Sequence, residues 1–269
     1  MKVSVSLSAF KGGPTSPILF TGDVEKHIPV IAELGYDGVD FFSRDPSDSK
    51  EKMAARLLEK KGLGVGVVMP AALAGEGLTM ADSDESVRLE FMKRIRPIID
   101  FASDLNGMVS LGLIRGRRKE GESEKAFFDR YAESCIKLYE YSEKRNVKLV
   151  IEPINRKEIN TLNSSIEAKD FILKYGLPVY LMLDTFHMNQ EDSSITSSFE
   201  SCRELVKHIH FLDSNRLAPG MGNLDMELIY KKIVGIGYDG YLCLEALRQP
   251  DAYTVAERGI EFFRRVGLK

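Results

Sequence analysis

Four ionisable residues end short apolar runs in the second half of the sequence: Glu152 closes LVIE, Asp184 closes YLMLD, His210 lies near the end of VKHIHF, and Glu245 closes YLCLE. One such residue is as readily a solvated strand end or a helix cap, but four on consecutive runs favour a shared site. Three carboxylates and one imidazole suit a divalent ion such as Mn²⁺, Mg²⁺ or Co²⁺. A cation would also explain how the converging carboxylates stay ionised together. The pattern therefore predicts one metal ion bound by all four residues.

The elements that would position these residues are short β-branched runs that alternate with amphipathic helical stretches. Such alternation is typical of parallel strands joined by helical crossovers. Eight runs can be counted: Val3–Leu7, Gly38–Phe42, Gly64–Met69, Met108–Leu113, Lys148–Glu152, Val179–Asp184, Val206–Phe211 and Tyr241–Glu245. No GxGxxG or GxxxxGK[ST] motif follows the first run, which argues against an open nucleotide-binding sheet. The sequence predicts an α/β protein in which residues 1–269 form a single (β/α)8 TIM barrel, with active-site groups at the carboxyl ends of its strands.

Composition narrows the class of partner. The formal net charge of -3 shows no basic excess of the kind that nucleic-acid binding requires. No apolar run approaches the roughly 20 residues of a membrane span, and the amino-terminal MKVSVSLSAFKGG lacks the apolar core of a secretory signal. Three cysteines without CxxC spacing favour small buried hydrophobic residues over a disulfide framework. We expect a cytoplasmic protein with a small-molecule substrate and no nucleic-acid or membrane partner; a homo-oligomer is one option that the sequence leaves open.

Four segments resemble the sugar-phosphate isomerase/epimerase family of xylose-isomerase-like barrels, and are particularly similar to D-tagatose and D-psicose 3-epimerases. They are IEPINRKE (Ile151–Glu158), LDTFHM (Leu183–Met188), HIHFLDSNRLAPGMG (His208–Gly222) and LCLEA (Leu242–Ala246). The resemblance implies a Mn²⁺-like ion at the four strand-end residues, with Glu152 and Glu245 also acting as a proton-shuttling pair. It further implies that Glu158, His187 and Arg216 contact carbonyl and hydroxyl oxygens of the substrate.

The chemistry of these residue types agrees with that implication. Removing a proton next to a carbonyl creates an enediolate, whose negative charge a divalent cation and a cationic side chain such as Arg216 would stabilise. Two glutamates could deprotonate one face of the carbon and reprotonate the other, giving an epimerase. A single base that returns the proton to the neighbouring carbon would give an isomerase. The same site could also expel a β-hydroxyl, so a dehydratase of an inosose-like or dehydroshikimate-like compound remains the alternative.

A basic run after the fourth predicted strand bears on the charge of the substrate. Arg115, Arg117 and Arg118 lie in LIRGRRKEGE, on the predicted active face of the barrel. Such a run is commonly a solvated loop, whereas arginine is also suited to a phosphate or carboxylate. We include Arg115 among the substrate-binding candidates, so the expected sugar-like substrate is either neutral or anionic. His208 shares the strand parity of His210, and we expect it to support that residue rather than bind the metal.

Overall fold

The computed structural model describes all 269 residues, and its β-strands form a closed parallel barrel. The strands are β1 Lys2–Ser8, β2 Phe20–Thr21, β3 Gly38–Phe42, β4 Gly64–Met69, β5 Met108–Ser110, β6 Leu149–Ile151, β7 Tyr180–Asp184, β8 Val206–His210 and β9 Tyr241–Leu244. The order is β1, β3, β4, β5, β6, β7, β8, β9, and β9 pairs with β1 to close the ring. The two-residue β2 pairs with β1 only. The predicted (β/α)8 TIM barrel is confirmed.

Ten α-helices connect and follow these strands. They are α1 Val24–Leu34, α2 Ser49–Lys61, α3 Ala71–Gly75, α4 Glu85–Asp104, α5 Glu124–Ser142, α6 Ser165–Tyr175, α7 Thr185–Glu191, α8 Ile195–Cys202, α9 Met226–Gly235 and α10 Ala252–Arg265. Most begin after an Asp or Ser whose side chain accepts a backbone N–H of the first turn, as Asp84 and Ser164 do. Gly35 ends α1 in the left-handed conformation that glycine adopts without strain. None of these helices combines the length and apolar character that a membrane crossing needs.

Strand side chains alternate between the helix layer and the barrel interior. In β1, Val3, Val5 and Leu7 belong to the large core that packs the helices onto the sheet. Ser4 and Ser6 occupy the other face and are completely buried inside the barrel. A separate apolar cluster fills one side of that interior, and its members are Val67, Met69, Val150 and Met182. The barrel is therefore a packed core that supports a site at one end.

The fourth predicted strand is shorter in the structure. The sequence predicts Met108–Leu113, but β5 ends at Ser110 and Leu113–Arg115 form a 3-10 turn. Gly112 lies against Glu152, where an added Cβ would come within 2.8 Å of Oε2. The chain thus leaves the sheet at a point where a side chain would collide with that glutamate.

Candidate active site

Four ionisable side chains meet at the carboxyl ends of consecutive strands. Asp184 and His210 end β7 and β8, while Glu152 and Glu245 directly follow β6 and β9. One ligand atom of each lies within 4.8 Å of those of the others. Nδ1 of His210 is 3.5 Å from Oε1 of Glu152, and 3.7 Å from both Oδ2 of Asp184 and Oε2 of Glu245. The structure brings together the four residues predicted to hold a metal ion, and we call them the metal-ligand set.

The metal-ligand set fits a cation. Three of its buried atoms have no hydrogen-bond partner: Oε1 of Glu152, Oδ2 of Asp184 and Nδ1 of His210. Buried polar atoms are rarely left in this state, because each loses its hydration without compensation. Burial lowers the pKa of His210, but the neighbouring carboxylates, Glu245 foremost, outweigh it and raise the pKa well above its ordinary value. The centre attracts positive charge, and its donors suit Mn²⁺, Mg²⁺ or Co²⁺.

Arg216 joins two acidic residues at the edge of the centre. Its Nη2 donates to Oε2 of Glu245 at 2.6 Å, and its Nη1 donates to Oε1 of Glu158 at 3.0 Å. The guanidinium also lies over the ring of Phe186. The φ of Arg216 is 60°, a left-handed conformation that non-glycine residues seldom adopt outside sites where surrounding contacts impose it. Burial raises the pKa of Glu245, and the cations Arg216 and His210 act in the opposite direction.

His187, in α7, turns its Nε2 towards the centre. This atom is 3.7 Å from Oδ2 of Asp184 and 4.0 Å from Oε1 of Glu152. Nδ2 of Asn155 donates to Nδ1 of His187 at 2.8 Å and to Oε1 of Glu158 at 2.9 Å. With Nδ1 accepting, the Nε2 of a neutral ring carries the proton and faces the site. Asn155 is not among the residues predicted from the sequence, although it stands between the two glutamates of IEPINRKE.

Arg115 has a structural role instead of the predicted role in substrate binding. Its guanidinium is completely buried and donates to the carbonyl oxygens of Gly112, Glu152 and Thr161 at 2.8, 2.8 and 2.7 Å. These bonds join the turn after β5 to the loop after β6. Because its donors are used by main-chain carbonyls, Arg115 is not available to an anionic substrate, and the prediction is corrected. Arg117 is exposed, donates to the backbone carbonyls of Lys157 and Glu158, and does not line the cavity.

A cavity of about 340 Å³ opens beside the metal-ligand set, within the usual size range of small-molecule sites. Glu158, His187 and Arg216 line it together with Glu152 and Glu245. Loops after the first barrel strands line the rest, with Phe10, Lys11, Ser43, Arg44, Pro70 and Leu113 among the lining residues. Two of the positively charged side chains that line the cavity, Lys11 and Arg44, lie on these loops. Arg216 is paired with carboxylates, whereas no acidic side chain pairs with Lys11 or Arg44.

Known proteins provide an independent comparison. The chain is 27% identical over 229 residues to L-ribulose 3-epimerase of Mesorhizobium japonicum, covering 83% of this chain and 75% of that protein. It is 24% identical over 244 residues to 3-dehydro-D-guloside 4-epimerase of Escherichia coli, covering 87% and 91%. The crystal structure of D-allulose 3-epimerase from Methylomonas sp. in complex with D-allulose shares the fold, with a TM-score of 0.81, 19% identity and coverage of 98% and 97%. Residues 28–266 match the sequence profile described as Xylose isomerase-like TIM barrel. The chain therefore belongs to the Xylose isomerase-like TIM barrel family.

Proposed function

We propose that this protein is a divalent-metal-dependent epimerase that inverts a carbon next to the carbonyl of a sugar-like keto compound. The observation that carries the proposal is the buried metal-ligand set, which converges on one point and leaves three atoms without hydrogen-bond partners. The names of the relatives, a sugar 3-epimerase and a sugar 4-epimerase, support inversion over elimination. Mn²⁺ is the preferred ion because an imidazole stands among the ligands, whereas Mg²⁺ favours oxygen donors and retained waters.

Glu152 and Glu245 would move the proton. Inversion requires a base on one face of the carbon and an acid on the other. The two glutamates follow β6 and β9, which are separated in the barrel by β7 and β8, and both line the cavity. When bound, the metal ion supplies positive charge that stabilises negative charge developing on substrate oxygen.

The remaining polar residues would orient the substrate. Arg216 lines the cavity, so its guanidinium borders the space that a substrate oxygen would occupy. Nε2 of His187 is available as a second donor, because Asn155 occupies its other ring nitrogen. The carboxylate of Glu158 borders the cavity and can accept from a hydroxyl group. These donors and acceptors match the alternating hydroxyl and carbonyl oxygens of a sugar-like ligand.

The charge of the substrate is a separate part of the proposal. Since Arg115 is buried, the unpaired cations of the cavity are Lys11 and Arg44, both on loops far in sequence from the metal-ligand set. A phosphate or carboxylate at that end would be bound by charge-assisted hydrogen bonds. We therefore propose a sugar phosphate or sugar acid in preference to a neutral sugar.

The test is a screen of ketoses, ketose phosphates and keto sugar acids with Mn²⁺ in deuterated water, followed by NMR. We expect one compound to be inverted next to its carbonyl and to take up deuterium at that carbon. Loss of water to an unsaturated or dicarbonyl product, visible as new ultraviolet absorbance, would assign the dehydratase reaction instead. Full turnover by protein that elemental analysis shows to be metal-free would contradict the proposed metal dependence.

A further inference from the structure

A second buried cluster adjoins the metal-ligand set inside the barrel. One carboxylate oxygen of Asp40, Oδ2, lies 2.6 Å from Nε2 of His208 and 3.1 Å from Nε2 of His210. The side chains of all three residues are completely buried. Asp40 is in β3, so it reaches the two histidines of β8 from another part of the barrel wall. The same carboxylate therefore holds a residue of the metal-ligand set and its neighbour one layer deeper.

The direction of these hydrogen bonds determines which nitrogen of His210 can bind a metal. An ionised carboxylate only accepts hydrogen bonds, so each imidazole donates from Nε2. A neutral imidazole carries one proton, which leaves Nδ1 of His210 with its lone pair. That is the atom within 3.5 to 3.7 Å of the three carboxylates. Without the acceptor below, the ring proton could occupy Nδ1, where it would block coordination.

His208 and Gly66 keep Asp40 in place. The bond to Asp40 is the only polar contact of the His208 ring, because its Nδ1 has no partner. His208 thus holds Oδ2 beside His210 at a site where an unpaired charge would be costly. On β4, a Cβ at Gly66 would lie 2.6 Å from Oδ1 of Asp40 and 2.8 Å from Cε1 of His208. Only a residue without a side chain leaves room for this pair.

The cluster could also be read as a second metal site, since Asp40, His208, His210 and Cys243 have ligand atoms close enough to surround an ion. The distances favour hydrogen bonds. Two ligands of one tetrahedral zinc ion, with bonds of about 2.0 to 2.1 Å, lie about 3.3 Å apart. The separation of 2.6 Å between Asp40 and His208 is too short for that arrangement and is typical of a strong charge-assisted hydrogen bond.

We propose that Asp40 is a positioning residue for the metal centre: it accepts from Nε2 of His210 and so presents Nδ1 to the ion, while His208 keeps the carboxylate in place. The inference rests on the proposed metal site and goes beyond it, because Asp40 itself would not touch the ion or the substrate.

The first test compares Mn²⁺ affinity in wild-type protein and Asp40→Asn by calorimetry, with folding checked by circular dichroism. We expect Asp40→Asn to bind Mn²⁺ about 10- to 100-fold more weakly, the usual consequence of losing such a partner. Two controls should keep wild-type affinity. Ser4→Ala removes a hydroxyl that is 3.5 Å from the other oxygen of Asp40, and Glu51→Gln neutralises a buried carboxylate that contacts Ser43 but no histidine.

The outcomes separate this inference from the proposed function. Equal Mn²⁺ affinity in Asp40→Asn and wild type would overturn the positioning role while leaving the metal site intact. No Mn²⁺ binding by the wild-type protein would overturn the metal site itself and, with it, this inference. Two bound ions per chain, one of them lost in Asp40→Asn, would show that the second cluster binds metal directly and would also overturn it.

The second test does not depend on whether Asp40→Asn folds. It records ¹⁵N NMR spectra of Zn²⁺-loaded protein labelled at histidine. The chain has four histidines, so single His→Gln variants can assign their ring signals. We expect slowly exchanging protons on Nε2 of both His208 and His210, with no proton on Nδ1 of His210. A proton on Nδ1 of His210, or none on its Nε2, would contradict the proposal even if Asp40→Asn does not fold.

Discussion

The barrel interior has two sides of opposite chemistry, and the metal-ligand set stands on both. Glu152 and Asp184 lie on the apolar side, two residues beyond Val150 and Met182 on adjacent strands. With Val67 and Met69, these two side chains form the small cluster inside the barrel. Nothing in that layer can exchange a hydrogen bond with the carboxylates above it. Packing and hydrogen bonds from backbone N–H groups orient these carboxylates instead. The N–H of Phe186, for example, donates to Asp184.

His210 and Glu245 stand on the polar side. Two residues before them in sequence are His208 and Cys243, both completely buried and both next to Asp40. Here the layer below contacts the metal-ligand set directly, through the bond between Asp40 and His210. Burial raises the pKa of the Cys243 thiol well above its ordinary value, so this residue is a neutral filler within a charged cluster.

The difference follows from the chemistry of the two ligand types. An ionised carboxylate can present either of its two equivalent oxygens to an ion, so an apolar floor is sufficient for it. An imidazole has two nitrogens, and only one can face the ion, so the other needs an acceptor that holds the proton. A barrel that supplies both kinds of ligand therefore needs a polar layer only under its histidine.

Removal of the metal ion should have the largest effect, because residues on both sides of the barrel interior are proposed to bind it. Treatment with a chelator should reduce epimerisation to an undetectable level, and Mn²⁺ should restore it. Mn²⁺ at 100 times its Kd should also raise the free energy of unfolding by about 2.7 kcal/mol, since the ion binds only the folded site. Urea denaturation with and without Mn²⁺ measures this. An unchanged unfolding curve would show that no ion binds.

Changing one glutamate on each side tests whether both sides of the barrel interior take part in the proton transfer. Glu152→Gln and Glu245→Gln, assayed at saturating Mn²⁺ with metal content verified, should each lose epimerisation by roughly 100- to 10,000-fold, the contribution typical of a general acid or base. One variant should still exchange the substrate proton with solvent deuterium, because each glutamate would serve one face. If either variant keeps near-normal epimerisation, that residue is a ligand only.

Truncation on the apolar side should affect stability rather than metal binding. Met182→Ala should lower the free energy of unfolding by about 2 to 5 kcal/mol through the cavity that it leaves. Leu173→Ala, at a position 64% exposed on α6, is the matched control and should change it by less than about 0.5 kcal/mol. Mn²⁺ affinity should stay near the wild-type value in both. A loss of affinity in Met182→Ala like that expected for Asp40→Asn would remove the distinction between the two sides.

The smallest effect concerns the far end of the cavity. Arg44→Ala should lower kcat/KM about tenfold for a phosphorylated or acidic substrate and leave that of its neutral analogue unchanged, because one charge-assisted contact at an exposed site is lost. Lys50→Ala is the control, since Arg44 and Lys50 both lie over the ring of Phe10 but only Arg44 lines the cavity. Equal losses for charged and neutral substrates would argue against an anionic group there.

Part of this arrangement is predictable from the sequence because it depends on local pattern and one general rule. Alternating apolar runs and helical stretches predict the strands, and eight of them predict a closed barrel. In such a barrel every strand ends at the same rim, so Glu152, Asp184, His210 and Glu245 could be expected to meet without any knowledge of their contacts. Glu158, His187 and Arg216 were predicted from resemblance, and all three line the cavity.

Only the tertiary structure decided the roles of Arg115, Asn155 and Asp40. Arg115 follows a strand at the active end, yet its side chain donates to the backbone carbonyl of Thr161 in the loop after β6. Asp40 is 170 residues from His210 in sequence, and their pairing depends on how β3 and β8 face each other across the barrel. Sequence pattern indicates which side of a strand a residue occupies. Which donor meets which acceptor across the interior depends on barrel packing, because these contacts join residues that have no local relation.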